Sequence, residues 1–181
     1  MSTKYYIKYD KNLMIGGMNN NLISGFIKEI NIIYAHIRLL YSHGDIIVLS
    51  GSGALIYYLY TYGYTNLIDL IPEPYDINFL LLTDDPNATI TIPFIGDHKR
   101  KQETYGQSAI FQNDWIPHLK FKSFNLSIGK KSISYNQVGQ INLLSLSQLK
   151  VHLSKNTKII KIIDEIKLKN DYTFSLKKFD R

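Results

Sequence analysis

Apolar residues recur every three or four positions from Leu22 to Tyr41, at Leu22, Ile23, Phe26, Ile27, Ile30, Ile33, Tyr34, Ile37, Leu40 and Tyr41. A single stripe at that spacing predicts an amphipathic helix, with Lys28, Glu29 and Arg38 off the stripe. His43-Gly44 then supplies a C-terminal stop. The pattern changes at Asp45–Ser50, where a short β-branched run bounded by glycine predicts a buried strand. Ala54 to Tyr62 reads as helix again, ended by Gly63, and its Tyr57, Tyr58 and Tyr60 are expected to pack inward rather than stack on bases. Pro72 and Pro74 introduce a second strand over Tyr75 to Leu82. Asp84–Asn87 is a turn, followed by the alternating run Ala88–Pro93.

Residues 96–118 hold no steady period and are expected to form a long loop enclosing a short helix or strand. Lys120–Ile128 is strand-like, Gly129-Lys130-Lys131 reads as a hairpin turn, and Ser132–Tyr135 and Gln140–Leu144 as short strands. Two helices close the pattern. The first spans Leu146–Ser154 and is capped by Ser145; the second spans about Thr157–Leu168 and buries Ile159, Ile160, Ile162, Ile163 and Ile166. This order predicts an α/β (α+β) domain with a mixed, largely antiparallel sheet flanked by helices, closed by a short C-terminal helical pair. Its divisions are a polar segment over 1–20, a core over 21–144, and a helical segment with a weakly ordered tail over 145–181.

At 181 residues one compact domain is expected. The absence of cysteine rules out disulfides, thiolate metal sites and cysteine nucleophiles. No apolar run is long enough for a membrane span, and the first residues lack the apolar stretch of a signal peptide. An intracellular setting is therefore expected, cytoplasmic or within a virion. The abundance of Asn, Lys, Ile and Tyr fits an AT-rich genome, a large DNA virus's among them. Charge is uneven: residues 1–118 carry −3 and residues 119–181 carry +9, within the overall +6. The basic third suits either a polyanion or a solvated lysine-rich surface.

The candidate chemistry lies at Gly51-Ser52-Gly53 and at Tyr75-Asp76-Ile77-Asn78-Phe79. A glycine turn opening a helix presents unpaired N–H groups and the positive end of the helix dipole, and both favour phosphate. Asp76 and Asn78, at i and i+2 of one strand, share a face. Two carboxylates so placed would ligate one Mg²⁺, but Asn78 brings a neutral oxygen. The five histidines show no metal-binding spacing, and Ser50 stands where a nucleophile elbow needs glycine. Asp97-His98-Lys99-Arg100-Lys101 is either a phosphate-contacting loop or a solvated charge run.

Leu49-Ser50-Gly51-Ser52-Gly53-Ala54-Leu55 followed by Tyr75-Asp76-Ile77-Asn78-Phe79 resembles the hG[GS]–helix–DxD pattern of the DNA polymerase β-like nucleotidyltransferase superfamily. The nearest branches are the AbiE-type toxin nucleotidyltransferases and the poly(A) polymerases of large DNA viruses. The resemblance covers about residues 45–168. It implies transfer of an NMP from an NTP to a hydroxyl acceptor with Mg²⁺, with Gly51 and Ser52 on the phosphates and Asp76 on the metal. It also places Lys150, with Lys155, near the triphosphate and Asp164 as a downstream aspartate; the alternative for both lysines is a solvated helix face. The third carboxylate of such proteins falls on a later strand, here best matched by Lys122–Ile128, where Asn125 occupies the position. Asp76, Asn78 and Asn125 thus stand as the catalytic set, with two asparagines in it, and Asp84, Asp85, Asp97 or Asp114 are possible substitutes. Two functions follow. One is a nucleotidyltransferase with a degenerate or atypical site. The other is an inactive module of that fold which binds nucleic acid or a protein partner through its basic third.

Overall fold

A computed structural model of the chain describes residues 20–41, 46–71, 77–85, 87–92, 103–104, 107–112, 119–120 and 123–167. Helix α1 spans Asn20–Leu40, and strand β1, Ile46–Ser50, leads directly into α2, Gly51–Thr61. A 3-10 turn over Thr65–Leu70 precedes β2, Asn78–Thr83. Strands β3 (Thr91–Ile92), β4 (Glu103–Thr104), β5 (Ser108–Gln112), β6 (Ser123–Lys130), β7 (Tyr135–Val138) and β8 (Ile141–Leu144) follow, then α3, Leu146–His152. A last helix, α4, occupies 157–167.

Six strands form one sheet in the order β5-β6-β2-β1-β8-β7, and β3 pairs with β4 apart from it. The β1–β2, β5–β6 and β7–β8 pairs are antiparallel, whereas β1–β8 and β2–β6 are parallel. The expected mixed, largely antiparallel sheet is therefore present, with helices against it. Ile47, Val48 and Leu49 are consecutive and all buried. Alternate residues of a strand point to opposite faces, so β1 is covered on both sides. Rings stack across three elements: Tyr34 of α1 lies 6.3 Å from Phe79 of β2, and Phe79 meets Phe124 of β6 edge-on at 6.1 Å.

The helices bury most of what their spacing predicted; in α4, Ile159, Ile162, Ile163 and Ile166 are buried and Ile160 is only partly so. In α1 the stripe from Leu22 to Ile37 is buried, and Tyr57 and Tyr58 of α2 pack inward while Tyr60 is 36% exposed. Tyr58 donates to the Leu144 carbonyl at 2.9 Å and accepts from Asn136 Nδ2 at 3.3 Å. Burial pushes its phenol well above the usual tyrosine range, so it stays a neutral donor. Ser145 caps α3 as expected, its Oγ accepting the Gln148 N–H at 3.3 Å. An unforeseen second cap, Asn156 Oδ1, accepts from the N–H groups of Lys158 and Ile159 and opens α4.

Several expectations change. Glu29 is buried, not solvated, and its carboxylate accepts from the Lys120 backbone N–H, ties α1 to the approach to β6. A buried charge is tolerable when a donor meets it, and a stripe of apolar positions cannot register that. The expected hairpin at Gly129-Lys130-Lys131 is not formed: β6 continues through Lys130, β7 starts only at Tyr135, and the two strands are not neighbours in the sheet. Gly129 sits in the strand because a Cβ there would lie 2.8 Å from Leu82 Cδ2, its partner residue on β2. The glycine serves close packing rather than a turn. Within 96–118, Ser108–Gln112 forms the edge strand β5. The 3-10 turn, which buries Ile68, was not foreseen. The His43-Gly44 stop, residues 1–19 and the tail from 168 lie outside the described residues. No helix among the described residues is long and apolar enough to cross a membrane.

Candidate functional site

β1, β2 and β6 lie side by side, and their pairing brings three polar residues into one row. Ser50, the last residue of β1, is opposite Asn78, the first of β2, and Asn78 is in register with Asn125 of β6. The backbone fixes the row: Asn125 N–H donates to the Ile77 carbonyl at 2.9 Å, and Ser50 Oγ donates to the Asn78 carbonyl at 3.1 Å. Ser50 therefore spends its hydroxyl across the sheet and makes no side-chain cap for α2. The two amides meet directly, with Asn125 Nδ2 donating to Asn78 Oδ1 at 2.6 Å.

Gly51 completes the row from the helix side. Its φ of +68° lies in the left-handed region, and a Cβ there would stand 2.8 Å from Asn78 Nδ2. Only glycine meets both conditions at once. α2 starts at Gly51, three residues earlier than the periodicity of its apolar face implied. The first turn of this 11-residue helix holds Gly51, Ser52 and Gly53 and no acidic residue. Its free N–H groups and dipole make a seat for an anion, with the Asn78 amide packed beside it.

Asn125 Oδ1 is buried with no hydrogen-bond partner among the described residues. An acceptor in that condition costs about 1–3 kcal/mol unless a donor reaches it. The oxygens this row offers are amide oxygens, and Asn78 Oδ1 is already engaged. Magnesium favours charged oxygen ligands, so Asn78 and Asn125 do not fit that ion. Among the described residues no group of three or more His, Cys, Asp and Glu could hold a metal. Asp76, expected on the metal, lies outside the described residues, as do Asp97, Asp114 and the 97–101 charge run.

The remaining candidates lie on α3, on α4 and in turns. Lys150 Nζ lies 2.8 Å from Asp164 Oδ1, joining α3 to α4, and each side chain is roughly half exposed. Lys167 Nζ adds a 3.0 Å bond to Ser147 Oγ between the same helices. Lys155 is exposed in the turn between α3 and α4. α3 rests against α2, but among the described residues no hydrogen bond links Lys150, Lys155 or Asp164 to Gly51, Ser52, Asn78 or Asn125. Asp84 and Asp85 follow the far end of β2, about 20 Å along the strand from Asn78. Asp84 pairs with Lys131 at 3.5 Å and Asp85 caps the Asn87 N–H at 2.9 Å, so neither substitutes for the missing carboxylates.

Sequence reasoning placed Gly51, Asn78 and Asn125 in one site but missed Ser50 as part of the row. The available signal was a single hydroxyl ending the otherwise apolar strand IIVLS. Comparison with known proteins gave no match: no family model, no curated protein and no solved structure is similar to the chain.

Proposed function

We propose that this chain is a nucleotidyltransferase-fold protein that seats the phosphates of a nucleoside triphosphate on the Gly51–Gly53 turn and has lost two-metal nucleotidyl transfer. The observation that carries the reading is the in-register Asn78–Asn125 bond beside a glycine of positive φ. These are positions where the resemblance implies carboxylates. Two carboxylates at that separation repel each other and need a cation between them. Two amides hydrogen-bond each other without one, so the arrangement keeps the shape of the site and removes its dependence on metal. Of the three positions that the resemblance assigns to the metal, only Asp76 is a carboxylate. The basic segment 119–181 is then the surface for a nucleic-acid or protein partner, in the cytoplasm or in a virion.

Calorimetric titration of NTP with and without Mg²⁺, on wild type and on Gly51→Val, tests this reading. NTP binding that survives chelation and disappears in the glycine variant is the expected result. Absence of any binding sinks the proposal. Release of pyrophosphate with transfer to an acceptor would overturn its inactive part and restore the enzyme.

A further inference from the structure

α1 carries a second stripe besides its buried one. Ser24, Lys28, Asn31, Ile32, Ala35, Arg38 and Leu39 recur at helical spacing along one side. That side borders two adjoining hollows of about 940 and 600 Å³, which share Asn31, Ala35, Gly139 and Gln140 as walls. A third, of about 280 Å³, opens off the larger beside Tyr34 and Arg38. Together they form one elongated groove between α1 on one side and the β7–β8 hairpin and the end of α2 on the other, about 22 Å long from Ser24 to Leu39. Ile46 and Ile141 lie at its base, so it occupies the end of the sheet away from Ser50 and Gly51.

The chemistry of the walls is one-sided. No Asp or Glu lines any of the three hollows among the described residues. Lys28 and Arg38 are exposed and stand about 15 Å apart along the helix. Arg38 makes no ion pair among the described residues. Between the cations the walls offer the side-chain amides of Asn31, Gln137 and Gln140. Tyr60 and Tyr135, 36% and 37% exposed, give aromatic faces toward the two ends.

We infer that this groove is a docking surface for single-stranded nucleic acid. A polyanion matches two separated cations in a wall that holds no carboxylate among the described residues. An elongated open trough suits a chain better than a compact ligand. Bases stack on exposed tyrosine rings while cations track the backbone, and amides meet base edges. Its two cations, Lys28 and Arg38, come from α1 and lie outside the basic C-terminal segment, and the surface does not depend on the Gly51 turn.

Fluorescence anisotropy with a labelled single-stranded RNA of about ten nucleotides tests it. The Lys28→Gln/Arg38→Gln double variant is expected to bind about tenfold more weakly, and the slope of log affinity against log salt to shrink by about 1.4, two phosphate contacts having gone. Tyr60→Ala is expected to lose about fivefold or more. A Lys158→Gln/Lys161→Gln control on α4, which removes the same charge from within the basic segment, should lose less than the groove variant. All four lysine and arginine positions are exposed, and unchanged thermal midpoints verify that the variants fold. The proposal is overturned if wild type does not bind, if the groove variant binds like wild type, or if the α4 control loses as much. Displacement of the RNA by polyglutamate of equal charge as readily as by unlabelled RNA would assign the groove to acidic polypeptide instead.

Discussion

Asn78–Asn125 and Lys150–Asp164 are polar pairs of nearly equal length, 2.6 and 2.8 Å, yet the protein uses them differently. The amides sit on adjacent parallel strands whose register already holds their Cβ atoms together, so little side-chain freedom is lost in forming the bond. Both residues are partly buried, and the acceptor left over, Asn125 Oδ1, is shut off from the surface. Lys150 and Asp164 reach toward each other from two helices with both ends in solvent. Water and salt compete for each of them, and an exposed pair of this kind contributes about 0–1 kcal/mol. Distance alone does not rank the two pairs. Burial and the rigidity of the backbone beneath them do.

The contrast can be broken most forcefully at Gly51. Gly51→Val forces a β-branched residue into the left-handed region and drives its Cβ into the Asn78 amide, so a loss of about 3 kcal/mol is expected. Urea denaturation measures it; a loss under about 1 kcal/mol would separate the amide pair from the turn. Next comes Asn78→Asp/Asn125→Asp. In EDTA the facing carboxylates should lower stability by about 2 kcal/mol, and excess Mg²⁺ should recover it, visible as a thermal midpoint rising by several degrees only in the variant. A midpoint indifferent to Mg²⁺ would mean that the two positions do not converge on a cation.

A double-mutant cycle of Asn78→Ala and Asn125→Ala should then give a coupling of about 1 kcal/mol that salt does not change. The smallest effect belongs to the exposed pair. The cycle of Lys150→Ala and Asp164→Ala should give about 0.5 kcal/mol or less, vanishing in 1 M salt. Should the second coupling exceed the first, the ranking by burial is wrong for this protein.

The sequence made the helices and the inner strands legible because their apolar spacing is regular. The stripe of α1, the run Ile46–Ser50 and the isoleucines of α4 each announce their element. Glu29 and Gly129 were misread for one reason: each answers a partner remote in sequence, the Lys120 N–H and the Leu82 side chain. At the candidate site, residue types and spacing marked Gly51, Asn78 and Asn125. The direct amide bond was beyond reach, since it depends on the parallel register of β2 and β6 across 47 residues. The resemblance placed Lys150 and Asp164 near a triphosphate, and the bond between the two was not legible in their order along the chain. Asp84 and Asp85 looked available as substitutes only until the direction of β2 was known.

The position of β1 bears on how the chain matures during synthesis. One flank is closed early, by β2, but the other waits for β8, and Asn142 reaches back to the Ile47 carbonyl across 95 residues. While the ribosome is still making the intervening chain, the innermost strand of the finished sheet is an open edge, apolar on both faces and able to recruit another nascent copy. That flank closes only once residues 141–144 have emerged, when Leu144 also offers its carbonyl to Tyr58. Chains released before that point would expose the strand that the mature protein protects best.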